Sequence, residues 1–338
     1  MKLRVGDWVE VRSREEILAT LDHDGCLEGM PFMPEMLSFC GMRFPVYKRA
    51  HKTCDTVFPV RGRRVNNAVH LSTRCDGSAH GGCQAGCLIF WKEAWLKPVE
   101  GPSSAVPRRL TDLKAADQSA ESELAQTTKR TDPATGAVKY RCQATQLPYA
   151  TASLEWWQIS QYFEDYRSGN VGLGAILRGF LYSVYYHLCN ARFGLGRPFR
   201  WLYDKVRVRM DGTVFPRRKG KIPAGDPTPS AELNLQPGEL VRVKSHQEIL
   251  QTLNVKSMNR GMTWDAEMVP YCGGTYRVLR RVTQIVNEST GEMMNMKNPC
   301  IILDSVICQS KYSHCRMFCP RSIYPYWREI WLERVRQN

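Results

Sequence analysis

The sequence predicts an α+β protein built from two repeated small β-barrel or β-roll modules. Each module carries one short helix and a cysteine cluster, and a helical aromatic segment joins them. Three observations predict this. Residues 6–41 lie over 238–273 without a gap, with fifteen of thirty-six positions identical. Each copy opens on strand-like alternation followed by a helix-start signal. Each copy ends on three cysteines and a pair of tryptophans. Self-similarity at a fixed offset inside one chain is the mark of a duplicated unit.

The elements follow in order. "GDWVEVRSREEILATLD" lies over "GELVRVKSHQEILQTLN", and "GMPFMPEMLSFCG" over "GMTWDAEMVPYCG". Val9 and Val11, like Val241 and Val243, alternate as in a half-buried strand. Ser13 with Glu16, and Ser245 with Glu248, have capping-box spacing. They start short helices over 14–22 and 246–254, with Ile17, Leu18 and Leu21 on the apolar side. Gly29 and Gly261 mark the next turn. A second strand is expected over 44–47 and 276–279, and another apolar segment over 69–71 and 301–303. Trp91 with Trp95, and Trp327 with Trp331, close the copies. The "GDWVEV" opening resembles the first strand of SH3-like barrels, so the modules are expected to be of that sort.

The chain therefore divides into a first cysteine-cluster repeat (1–100), a polar linker (101–139), an aromatic and basic helical segment (140–215), a proline-rich connector (216–237) and a second repeat (238–338). The linker is polar and nearly free of aromatics, so partial disorder is expected. In the helical segment, residues 153–166 read as an amphipathic helix capped by Ser153. Residues 171–189 form a second apolar run with Arg178 near its centre. A membrane span needs about 20 mainly apolar residues, and one crossing would put two related cysteine-rich copies on opposite sides. No span is expected.

There are 13 cysteines in 338 residues, an odd count. The N-terminus shows no apolar run of secretory length, so a cytoplasmic protein with reduced thiols is expected. Clustered reduced cysteines point to metal before disulfides. The first copy holds Cys40, Cys54, Cys75, Cys83 and Cys87; the second holds Cys272, Cys300, Cys308, Cys315 and Cys319. The late trios read C-x7-C-x3-C and C-x6-C-x3-C. Four thiolates satisfy a tetrahedral ion or an iron–sulfur cluster. The aligned sets are Cys40, Cys75, Cys83, Cys87 and Cys272, Cys308, Cys315, Cys319. Cys54 can replace Cys40, and Cys300 can replace Cys272. Neither group has the CxxC knuckle of most structural zinc sites, so iron–sulfur is favoured slightly over zinc, with up to two centres per chain. His51, His80 and His314 are substitute ligands, each expected to be a solvated loop residue. Cys26, Cys142 and Cys189 fall outside the pattern and read as small buried hydrophobes.

The net charge is +14. Residues 167–221 hold twelve Lys/Arg against Asp204 and Asp211 alone. That segment should face something anionic. Arg192, Arg197, Arg200, Lys205, Arg207 and Arg209 are the candidate anion- or lipid-facing residues, with Trp and Tyr in the head-group zone.

These features favour a metal-binding tandem-module protein with an accessory, electron-transfer or partner-docking role, in the cytoplasm or peripheral to the inner face of the membrane. One alternative is a nucleic-acid-binding protein with structural zinc sites, although the basic charge sits in the connector and no nucleic-acid motif is present. The other is an enzyme with an unrecognised metal-dependent site. Glu35, Glu267, Asp76, Glu93 and Glu329 are candidate acids and bases, but each reads first as structural or solvated. No nucleophile elbow, P-loop or dinucleotide fingerprint occurs, so a catalytic role is disfavoured. The whole chain resembles a set of uncharacterised bacterial proteins built on the same duplicated "GDWVEVRS…EIL.TLD…EM…CG" and "CPR…YWREIWLERV" pattern. That resemblance implies a bacterial cytoplasmic setting and carries over no catalytic residue.

Overall fold

The computed structural model describes all residues except 1, 58–60, 103–121, 123, 191–195, 211–213, 314 and 336–338. The architecture is mixed α and β, with many small antiparallel sheets. It divides into two compact units. The first comprises Met1–Leu173, Gln284–Asn295 and Phe318–Arg321; the second comprises Gly174–Thr283, Met296–Met317 and Ser322–Asn338. The boundary therefore does not follow the repeats: two short pieces of the second repeat belong to the first unit.

In the first unit, β1 (Trp8–Val11) leads through a turn into α1 (Arg14–Leu18). The expected capping box starts α1. The Glu16 N–H donates to Ser13 Oγ at 3.3 Å, and the Ser13 N–H donates to the Glu16 carboxylate at 3.0 Å. A tight hairpin follows, β2 (Cys26–Leu27) and β3 (Met30–Pro31), then a 3-10 turn over Pro34–Phe39. Next come β4 (Arg43–Pro45), β5 (Lys48–Arg49), β6 (Lys52–Cys54), β7 (Gly62–Arg64), β8 (Ala68–Arg74), β9 (Leu88–Lys92) and β10 (Leu96–Pro98). These strands do not run as one sheet. They form the orders β10-β1-β4 and β5-β8-β9, while β6 and β7 join a later strand.

Part of the predicted linker is ordered. β11 (Lys129–Thr131) and β12 (Val138–Tyr140) form a hairpin, and Leu124 is buried in the first core. Residues 103–121 and 123 of that segment lie outside the described residues. α2 (Gln143–Ala150) follows, then β13 (Ala152–Leu154) and α3 (Ser160–Arg167). Here the sequence reading is corrected. Ser153 does not cap a helix; it pairs with Arg63 across β7, and the helix starts at Ser160. The open edge of β7 takes up the backbone of residues 152–154, which outweighs the weak local helical pattern.

In the second unit, α4 (Leu173–Cys189) and α5 (Gly196–Met210) precede β14 (Leu240–Val243) and α6 (His246–Gln251). A short hairpin, β15 (Met258–Asn259) and β16 (Met262–Thr263), leads to β17 (Thr275–Val286), β18 (Met293–Leu303) and β19 (Leu332–Arg334), with the end of β17 from 284 and the start of β18 to 295 belonging to the first unit. The sheet order is β18-β17-β14-β19. No described helix is long and apolar enough to cross a membrane.

The two units repeat several details. Val9 pairs with Phe44 on one side and Pro98 on the other; Val241 pairs with Tyr276 and Arg334. Phe32 meets Trp95 edge-on at 5.1 Å, and Trp264 meets Trp331 edge-on at 5.0 Å. The indole N–H of Trp95 donates to Thr20 at 3.1 Å, and that of Trp331 to Thr252 at 2.9 Å. Large aromatics thus anchor each core, and the indole N–H groups of Trp95 and Trp331 are satisfied, whereas those of Trp264 and Trp327 are buried without a partner.

Candidate metal centre

The site lies in the first unit, where the loop between β8 and β9 is tied down from several sides. The Cys75 N–H donates to the Cys87 carbonyl at 2.9 Å and closes the loop at its neck. Arg74 donates to the Gly86 carbonyl at 2.8 Å. Inside the loop, Ser78 bonds Asp76 through its amide and hydroxyl, and a short 3-10 turn carries His80. Gly77 sits at φ +77°, and a Cβ there would collide with the Cys83 carbonyl. Only glycine permits so close a fold of the backbone. The Val286 N–H donates to Cys83 Sγ at 3.3 Å, and Gln84 is held by the Gln284 carbonyl at 3.1 Å.

Five chain segments then converge on one cavity of about 40 Å³, room for a few water-sized bodies. Cys75, Cys83 and Cys87 come from the loop, and Cys142 comes from the start of α2. His80, Glu288 and Arg321 also line it. Gln143 positions Cys142: its side-chain amide donates to the Phe90 carbonyl at 2.8 Å and accepts from the Phe90 N–H at 2.8 Å, as a strand neighbour would.

Behind Cys75 stands Glu35, on the 3-10 turn over Pro34–Phe39. Cys75 Sγ donates to Glu35 Oε1 at 3.0 Å, and His80 Nδ1 lies 3.1 Å from the same oxygen. His80 Nε2 faces the Arg141 carbonyl at 3.3 Å. Glu35 Oε2 is buried without a hydrogen-bond partner. Among the described residues, Glu35, Cys75 and His80 are the one group of three metal-capable side chains with ligand atoms all within 4.8 Å. No three of the four cavity thiols all lie within that distance of one another. His80 is thus a buried residue, contrary to the solvated loop position expected for it.

Burial dominates the electrostatics of the cavity thiols Cys75, Cys87 and Cys142. Burial pushes Cys87 up to about 12 and Cys142 up to about 11. Burial and then the Glu35 carboxylate push Cys75 far upward. For Cys142, the backbone N–H groups of Thr145 and Ala144 pull the other way. Burial also pushes Glu35 upward, but the His80 hydrogen bond and charge, with the Cys75 thiol, more than offset it and hold the carboxyl below its ordinary range. Arg321 is 2 % exposed and donates to Glu288 at 2.8 Å. Burial opposes its charge, but the Glu288 carboxylate beside it more than restores it. Neutral buried thiols beside a buried guanidinium become good ligands once a cation displaces their protons.

The other predicted ligands are placed as follows. Cys40 packs against the first core beside Arg14 and Glu15 and does not line the cavity. Cys54 lies on β6, and its N–H donates to Cys319 Sγ at 3.0 Å. His51 Nε2 faces the Gln161 carbonyl at 3.2 Å and Asp165 at 3.3 Å. In the second unit, Cys272 packs against the core, where burial pushes it up to about 12. Cys300 is buried against Met262 and Arg328, and Cys308 Sγ lies 3.5 Å from Ser310 Oγ. Cys315 is half-buried, and His314 lies outside the described residues. Cys26 and Cys189 are buried, as expected. Cys142 is the residue that sequence reasoning missed. It belongs to neither repeat, so comparing the copies had no means of finding it.

Of the basic residues singled out, Arg197, Lys205 and Arg209 are exposed on α5. Arg200 turns back to donate to the Cys189 carbonyl at 2.9 Å. Arg192 and the Arg207 side chain lie outside the described residues. Of the candidate acids and bases, Glu93 pairs with Arg49 at 2.6 Å, and Glu329 pairs with Arg281 at 2.7 Å. Glu267 accepts from the Tyr312 N–H at 2.5 Å.

No family model, no curated protein and no solved structure matches this chain.

Proposed function

We propose that the first unit is a metal-binding module centred on the thiol-lined cavity, and that the chain serves as an accessory or electron-transfer protein. The observation that carries this reading is the arrival of Cys75, Cys83, Cys87 and Cys142, from separated segments, at one cavity. An iron–sulfur cluster fits better than a single zinc ion. Zn–S bonds of about 2.3 Å put tetrahedral ligand sulfurs about 3.8 Å apart, whereas no three of these thiols all lie within 4.8 Å of one another. A polynuclear cluster takes each thiolate on a different iron and tolerates such spacing. Arg321 supplies a buried positive charge beside what would be an anionic cluster. The matched pairings around β1 and β14 support a duplicated module, but the proposal of a metal centre is confined to the first unit.

Anaerobic purification with absorbance spectra and iron, sulfide and zinc analysis tests this. Broad absorbance near about 400 nm is expected of a cysteine-ligated cluster, lost in Cys142→Ala and kept in Cys40→Ala. Colourless protein without metal overturns the proposal. A second reading rests on the Glu35–Cys75–His80 group and its orphaned carboxylate oxygen: a single zinc with three protein ligands and an open position. In that case one zinc survives Cys142→Ala and is lost in His80→Ala.

A further inference from the structure

We propose that the outward faces of α4 and α5 form an interfacial docking surface for an anionic phospholipid membrane. α4 is apolar on two sides. Its inner side, with Tyr182 and Cys189, joins a cluster with Tyr203, Phe215 and Tyr312. Its outer side shows Leu177, Leu181, Val184 and Leu188 at i, i+4, i+7 and i+11, one stripe along the helix. Leu181 is 69 % exposed and Val184 62 %. A helix in water has no reason to present an unbroken aliphatic stripe unless something covers it.

α5 supplies the charge. Trp201, Leu202 and Val206 are exposed on it, interleaved with the exposed Arg197, Lys205 and Arg209. Lys205 Nζ lies 4.2 Å from the Trp201 ring centroid, the amphipathic pairing that suits a head-group zone. The one described acid on α5, Asp204, is already engaged by Arg218 and the Phe215 N–H. Charge decides the occupant. A second copy laid on this face would bring two basic surfaces together, whereas an anionic bilayer neutralises them. At 17 residues α4 is about 25 Å long, short of the roughly 30 Å hydrocarbon core, so it would lie in the interface plane.

The test is flotation of the full chain with vesicles of phosphatidylcholine alone or with about a third phosphatidylglycerol, followed also by the tryptophan fluorescence that Trp201→Phe removes. Binding to the anionic vesicles, a blue shift and weakening by salt are expected. The exposed pair Leu181→Glu/Val184→Glu should abolish binding. Arg197→Gln/Lys205→Gln/Arg209→Gln should weaken it about a hundredfold, from about fivefold per basic residue near the surface. Both variants should keep the wild-type circular dichroism, and either suffices should the other fail to fold. Failure to float with anionic vesicles overturns the proposal, as does equal binding to neutral ones. So does a wild-type dimer that the stripe variant converts to monomer, which would make a second copy the occupant.

Discussion

His70 is fully buried on β8, with Nδ1 2.8 Å from the Ile89 carbonyl. Burial holds its imidazole down to about 3, and the nearby charges of Lys48, Arg321 and Arg74 add to the effect. An unfolded histidine titrates near 6.5, so the unfolded state takes up the proton first. The resulting stability is whole above pH 6.5 and drains as pH falls toward 3, by about 1.4 kcal/mol per pH unit. In the second unit two groups oppose each other over much of this range. Burial holds His246 down to about 4, whereas it pushes Glu267 up to about 7. Glu267 thus loses stabilising effect as pH rises through 7, while His246 loses it as pH falls below 6.5. Acid lability should therefore be centred on the first unit. Denaturant titrations between about pH 7 and pH 5 should show it. His70→Gln keeps a donor for Ile89 and should flatten the slope; an unchanged slope would rule His70 out as its source.

At the scale of elements, the threonine in "LATLD" and "LQTLN" finds its reason in the tryptophans. Thr20 and Thr252 accept the indole N–H of Trp95 and Trp331, both fully buried. Thr20→Val or Thr252→Val should cost about 1–3 kcal/mol, the penalty of a buried donor left unpaired; equilibrium unfolding would measure it, and a cost near zero would mean that water reaches the indole. Gly77→Ala should disturb the loop that carries Cys75 and Cys83, because its Cβ would meet the Cys83 carbonyl. Lower metal content at little change in the circular dichroism spectrum is the expected result. The capping boxes and the strand alternation were legible in the sequence because their interactions span three or four residues. The threonine's partner lies 75 residues away in the first copy, and nothing local announces it.

At the scale of the molecule, the first unit is not complete within the first repeat. Gln284–Asn295 and Phe318–Arg321 belong to it. They bring the Val286 N–H to Cys83 and the Glu288–Arg321 pair to the cavity. A fragment of residues 1–173 should therefore lose metal and unfold at lower temperature than the same unit in the full chain. A fragment that holds metal as tightly as the full chain would show those segments to be dispensable. The repeats imply a boundary between two sequential modules. The chain instead lends pieces of its second repeat to the first unit, which only long-range pairing decides.

By itself, the sequence determined what short-range physics controls: the alternating strand at each copy's start, the Ser–x–x–Glu helix caps, the apolar helix over 171–189, and the basic excess of the segment that follows. It also marked the loop from Cys75 to Cys87, whose glycines and spacing demand a tight fold. Tertiary structure alone decided which fourth thiol joins that loop. Cys142, held by Gln143 against β9, reaches the cavity, while Cys40, aligned between the copies, packs against the core. The physical reason is that side chains from distant segments converge in space through strand pairing and buried amide hydrogen bonds, and no spacing within a loop encodes those.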